Sequence, residues 1–282
     1  MKKFFQTIGL FALICFSFFY TEKTITVLNE QDPLMIEIQT KKDNYYLKPQ
    51  NAIINNDEII PGIKGKIVNV EKTYENMKKK GFFNEKLIIY DTINPEISLN
   101  NNYSKYITKG NNNKDAVSLV FIIDSEKYLD DLITIAKQKK VTFNLFMTTN
   151  YLNNHISKLY DINNNEIYNY ANDGEYKNDL ILLGNNIINR NTKNTAKYCL
   201  SKTKNRNNLD ICSKNKMYTI LPTKIINNEI YSNIKTTLNK GDIILLEVNN
   251  NLIKQLDITI DFIGKKGLAI TGLSHLLTEE NF

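Results

Sequence analysis

The chain is 282 residues long, 42% apolar and 23% charged, so it can bury a core of one large or two ordinary domains, and wholesale disorder is excluded. Lys and Arg outnumber Asp and Glu by 36 to 30, a net charge of +6. That charge is spread along the chain with no basic stripe interleaved with aromatics, which argues against nucleic acid and is compatible with anionic membranes or acidic wall polymers. The chain is rich in Asn and has no Trp; Asn runs at 111–113, 163–165 and 249–251 are read as turns.

At the amino terminus, "MKK" precedes "FFQTIGLFALICFSFFY", Phe4 to Tyr20, an uncharged run of 17 residues. A charged start plus an apolar run is a targeting segment, kept out of the fold reasoning. No small-x-small cleavage site follows, and Cys15, after Leu13 and Ile14, is a poor lipoprotein match. The run is read as an uncleaved signal anchor over residues 1–23, near the short end of the roughly 17–25 residues that span a bilayer. Lys2 and Lys3 would hold the amino terminus in the cytoplasm, making this a single-pass cell-membrane protein with its bulk outside.

Residues 24–110 read as a small mixed α/β domain. "ITVLNE", "LMIEIQTK", the 45–70 stretch and "KLIIYDTI" read as strands, and "EKTYENMKKKG" as a helix closed by glycine. "NNNYSKYITKGNNNKD", 100–115, is read as a polar joint. No residue of this region names a chemistry.

From Asp115 the rhythm becomes regular. "AVSLVFII" is a strand, "SEKYLDDLITIAKQKK" a helix with Leu129, Leu132, Ile133 and Ala136 as its apolar stripe, and "VTFNLFM" a strand. A helical stretch capped by Thr148–Thr149 and the strand "EIYNYA" follow. Then come strand "KMYTILP", helix "EIYSNIKTTLNKG", strand "DIILLEV", helix "NLIKQLDITIDFIGKKG" and strand "LAI". Short strands alternating with helices predict parallel βα units in a barrel or doubly wound sheet, with any site at the carboxyl ends of the strands.

Asp124 ends the first of those strands and Glu247 follows a late one. Together with Asp173 or Glu175 they are candidates for an acid/base site of glycosidase type, which needs carboxyl groups about 5–9.5 Å apart. The competing and preferred reading makes both solvated loop-entry residues, Asp124 being the N-cap of the helix after it. Cys199 and Cys212 are the two cysteines outside the anchor; an extracytoplasmic setting favours a disulfide between them, closing a loop of about 14 residues worth about 3 kcal/mol. "SKTKNRNN", 201–208, reads as a basic, solvated loop inside that segment. His155 and His275 are the only histidines, lack ligand spacing to the cysteines and read as structural.

"KGDIILLEVNNNLIKQLDITIDFIGKKGLAITGLSHLL", Lys240 to Leu277, resembles the closing segment of the polysaccharide deacetylases, carbohydrate esterase family four (the NodB-homology domain). "AVSLVFIID" resembles that family's opening strand, "aVsLTFDDG". "LITIAKQKKVTFNLFMT" and "NEIYNYANDGEY" resemble its next two motifs, in order, over about residues 111–282. The resemblance implies a distorted (β/α) barrel and an N-acetylated glycan as ancestral substrate. It also implies a zinc ion held by one Asp and two His, a second Asp as base and a late His as acid, the metal lowering the pKa of its water. Carried onto this chain, the two aspartates fall on Ile122 and Ile123 and the glycine after them on Asp124. The two metal histidines fall on Tyr170 and Gly174. The arginine-proline motif keeps only Pro222, and the acid histidine falls on Glu247. Isoleucine and glycine side chains offer no lone pair, and a phenol is a poor zinc ligand. The expectation is therefore a deacetylase-like protein without its zinc site, more binding or scaffolding module than enzyme. It takes no cofactor, and its partners are the membrane and a cell-wall glycan; no protein partner can be named.

Overall fold

The alternation in residues 116–123 sets the architecture of the computed structural model, which describes residues 11, 13–17, 30–162 and 164–280. Most of the expected anchor lies outside the described residues. Among those residues, no helix is long and apolar enough to cross a membrane. The chain divides into two units, Met1–Pro49 with Lys64–Asn94, and Gln50–Ile63 with Pro95–Phe282.

In the first unit, helices Pro33–Lys41 and Val70–Lys78 bury Leu34, Met35, Ile38, Tyr74 and Met77, and strand Gly65–Val68 pairs antiparallel with Tyr90–Ile93. "LMIEIQTK", expected as a strand, is helical. Asp32 accepts from the Leu34 N–H at 2.8 Å and Pro33 stands at the first helical position, a start signal that overrides the β-branched content. "ITVLNE" falls outside the described residues except for Glu30.

The second unit begins with β1 (Ile53–Asn55) and β2 (Glu58–Ile60), a hairpin closed over Asn56 in the left-handed region (φ 52°). Strands β3 (Tyr106–Ile107), β4 (Ala116–Ile123), β5 (Asn144–Met147), β6 (Glu166–Asn169) and β7 (Tyr198–Leu200) follow. The last four are β8 (Tyr218–Ile220), β9 (Lys224–Ile226), β10 (Ile243–Leu246) and β11 (Ala269–Ile270). They form two sheets, β1-β2-β3-β8-β7 and β9-β10-β4-β5-β6 with β11 beside β4. Every pairing except β1 with β2 is parallel.

The helices are α1 (Leu129–Lys139), α2 (Thr149–Asn154), α3 (Asn178–Asn191), α4 (Arg206–Lys214), α5 (Ile230–Thr237), α6 (Asn250–Lys265) and α7 (Leu273–Leu277). The two-residue period sorts β4 cleanly. Val117, Leu119, Phe121 and Ile123 pack with the helices Leu132, Leu252 and Leu256 belong to, while Ala116 and Val120 face an inner cluster with Phe146, Tyr168, Tyr198, Ile220 and Leu245. Residues from six parallel strands thus meet inside one distorted barrel, filled rather than hollow.

The partition differs from a boundary at 110. β2 pairs with β3, and β3 with β8, so residues 50–63 and 95–110 are part of the barrel unit. The buried Glu279 carboxylate reinforces this, accepting from Gly62 N at 3.0 Å, Leu99 N at 2.9 Å and Ser98 Oγ at 2.5 Å. Pairing over such sequence separations leaves no local signal.

Candidate functional site

At the carboxyl ends of β4, β9 and β10 the barrel opens into a cleft of about 690 Å³. Its floor comprises Ile122, the side chain nearest the mouth on the inner face of β4, and Leu245 of β10. Around them stand Asp124, Tyr128, Asp173, Lys202, Asn227 and Glu247. Five of the residues singled out from sequence therefore share one cavity: Ile122, Ile123, Asp124, Asp173 and Glu247. Ile123, though at the rim, turns its side chain into the outer core and is 2% exposed. Tyr170, Gly174, Glu175 and Pro222 do not line the cleft.

Asp124 is exposed, but it does not cap the next helix. α1 starts at Leu129, preceded by Tyr128 in the left-handed region (φ 76°), and that start has no side-chain cap. The five-residue entry 124–128 moves Asp124 out of capping range and presents Tyr128 to the cleft instead. Glu247 is exposed directly after β10, its N–H donating to Ile226 O at 3.2 Å. The cleft lysines are engaged by aromatic faces: Lys127 Nζ lies 4.9 Å from the Tyr128 ring centroid and Lys202 Nζ 5.9 Å from that of Tyr170.

The segment carrying the expected metal histidines is a tight loop after β6. Ala171 (φ 52°), Asp173 (φ 49°) and Gly174 (φ 85°) all take left-handed backbone, and Gly174 N–H donates to Tyr170 O at 2.8 Å. Several groups pin the loop from outside. Asn208 of α4 donates to Gly174 O at 2.7 Å and accepts from Tyr176 N at 3.3 Å. The buried Tyr176 hydroxyl donates to Asn169 O and accepts from Leu200 N. Cys199 and Cys212, both fully buried, form a disulfide between β7 and α4. The sequence named Asp173 and the cysteines. It did not single out Tyr128 or Tyr176, and it passed over Lys202 and Asn208 because both lie in the run 201–208 read as a solvated loop, inside which α4 begins.

These side chains do not fit a zinc ion. Ile122 and Ile123 have no donor atom, and Gly174 offers no side chain while its carbonyl is taken by Asn208. Burial, aided by the charge of Asp173, pushes the Tyr170 phenol up to about 12, so it stays protonated at neutral pH. Among the described residues, no group of three or more His, Cys, Asp and Glu is placed to hold a metal. His155 caps the end of α2, its ring stacked on Tyr151 at 4.3 Å, and His275 sits in α7.

No family model matches the chain. An uncharacterized Bacillus subtilis protein, YlxY, is 34% identical over 135 residues, 47% of this chain and 42% of that one, so the match spans about two fifths of the relative. Among solved structures, the carbohydrate esterase family four pseudoenzyme BA3943 of Bacillus anthracis superposes with a TM-score of 0.65 at 23% identity, over 89% of this chain and 97% of that one. The family four esterase PdaA of Bacillus subtilis gives 0.54 at 15% identity, over 82% and 97%. The barrel described above, with its cleft at the strand ends, is thus the fold of the carbohydrate esterase family four polysaccharide deacetylases.

Proposed function

We propose that the protein is a glycan-binding module built on a deacetylase barrel that does not carry out metal-dependent deacetylation. It requires no metal and is held at the outer face of the cell membrane by its amino-terminal segment. The observation that carries the first part is the set Ile122, Ile123, Tyr170 and Gly174 at the positions where the family pattern has its donors. The similarity to a protein described as a family four pseudoenzyme supports the same reading. The retained cleft supports binding: it has an apolar floor, an aromatic wall at Tyr128 and polar heads at Asn227, Asn249 and Glu247 around its rim.

Calorimetric titration of the full chain with chito-oligosaccharides and peptidoglycan fragments tests this. Tyr128→Ala removes an aromatic contact of the order of 1 kcal/mol and weakens binding about fivefold or more. Absence of binding to every glycan of both types would refute the module reading. Fractionation of cells expressing the full chain tests the location: recovery in the soluble cytoplasmic fraction would refute the anchor.

A second reading has one specific observation in its favour, the convergence of Asp124, Asp173 and Glu247 on a single cleft. Under it the protein hydrolyses a polysaccharide through carboxylates alone, one acting as acid and another as base or nucleophile. Glycan cleavage that disappears in the Asp124→Asn, Glu247→Gln double variant would establish that reading. Cleavage absent from the unaltered chain would eliminate it.

A further inference from the structure

A second cavity, about 410 Å³, opens beside the loop after β6, between α2 and the first turns of α3. The same loop separates it from the cleft: Asp173 lines the cleft, whereas Ala171 and Asn172 line the second cavity. Residues 171–173 are therefore a ridge with a cavity on either side.

We propose that this cavity is a second saccharide site, and that cleft, ridge and cavity together take an uncharged oligosaccharide of several units. The inference rests on the glycan-binding reading of the cleft and adds to it the length and charge of the ligand. One wall of the cavity is apolar, formed by Ala171, Leu180 and Leu183, the last 47% exposed. An exposed leucine beside a concave polar surface suits the apolar face of a sugar ring or an acetamide methyl group. Asn153 and Asn172 line it as well, amides that each donate and accept and so match hydroxyl groups of either orientation. Among the described residues, neither amide makes a side-chain hydrogen bond, and Lys177 and Asp179 at the rim make no ion pair. Those last two balance each other in charge, which favours a neutral ligand over an anionic or cationic one.

The ridge is rigid where such a groove needs rigidity. Two left-handed residues flank Asn172, and Asn208, Tyr176 and the Cys199–Cys212 disulfide hold the loop from behind. A ligand crossing the ridge meets a preformed surface and loses little affinity to ordering it.

The test compares the chitobiose dimer with the chitohexaose hexamer on the full chain by calorimetry. Linking two sites through one ligand makes the hexamer bind about tenfold or more tightly than the dimer. Leu183→Asp and Asn172→Ala each remove most of that gain, while the dimer binding that Tyr128→Ala weakens persists in both. Both side chains are exposed, and circular dichroism serves to check that each variant folds. A hexamer advantage that survives both variants overturns the second site and leaves the cleft reading intact. An advantage lost in Leu183→Asp, with dimer binding indifferent to Tyr128→Ala, keeps the cavity and overturns the cleft. Equal dimer and hexamer affinities, or no binding of either, overturn the second site outright.

Discussion

The Tyr170 hydroxyl lies 2.8 Å from where a Cβ on Gly174 would be, and Gly174 holds φ at +85°. These are the two positions at which the resemblance read from the sequence expects the family's zinc-binding histidines. Here each depends on the other: the phenol fills space only a glycine leaves open. A side chain at 174 would therefore fit only if the Tyr170 ring shifted.

Gly174→Ala accordingly destabilises the barrel twice over, through left-handed backbone and through the clash with Tyr170. The backbone part alone is about 1–2 kcal/mol. Gly267, at φ 76° with nothing within 4 Å of its added Cβ, isolates that part. Urea unfolding of the two alanine variants should show Gly174→Ala as the more destabilised. Equal losses would show that Tyr170 moves aside freely.

Removing the Cys199–Cys212 bridge, sequence separation 13, lowers stability by about 3 kcal/mol on chain-entropy grounds. Because Cys212 shares α4 with Asn208, the paired serine variant also speeds amide exchange at Gly174 and Tyr176. Faster exchange confined to residues 199–212 would show that the bridge does not hold the ridge.

Alkaline pH tests the tyrosine-filled interior. Burial raises Tyr170 and Tyr151 to about 12 and also pushes Tyr168, Tyr176 and Tyr198 well above the ordinary phenol value. Each folded value is above the ordinary 10, so the stability these groups contribute is complete below pH 10 and is lost as pH rises through the folded value. Tyrosinate absorbance followed with circular dichroism should show the buried phenols ionising as the fold is lost, from pH 10 toward 12. Ionisation of all 16 tyrosines near pH 10 with the helices intact would contradict the packing.

Glu279 offers a local test of the barrel boundary. Glu279→Ala leaves the N–H groups of Gly62 and Leu99 unpaired and buried, a loss of about 3 kcal/mol. Glu279→Gln keeps an acceptor and loses less. Near-neutral behaviour of the alanine variant would mean water replaces the carboxylate.

Where periodicity was local, the residues spoke plainly. Strand Ala116–Ile123, strand Ile243–Leu246 and helix Asn250–Lys265 stand within a few residues of their expected places. Asn249–Asn251, read as a turn, caps and opens that helix, its Asn249 side chain accepting from Leu252 N. The same asparagine bias hid α3, "NDLILLGNNIINRN", whose buried stripe is Ile181, Gly184, Ile187 and Ile188. Gly184 is there because Asn169 crosses it, with Nδ2 2.3 Å from an added Cβ. Asp124 failed as a cap for a reason no propensity contains: Tyr128 takes a left-handed turn that delays α1 by four residues, from Ser125 to Leu129. The cleft's membership was readable at β4 and β10, where strand ends mark it. Lys202 reaches it only through folding of the loop before α4.

The most direct measurement is acetate release from N-acetylated chito-oligosaccharides and peptidoglycan by the purified full chain, with zinc or cobalt supplied and then removed by chelator. A barrel of this kind gives no release above the buffer rate under any metal condition, in samples where the same glycans bind. Release that requires the metal and stops with the chelator would contradict it, because no donor set built on Ile122, Ile123, Tyr170 and Gly174 can supply that chemistry.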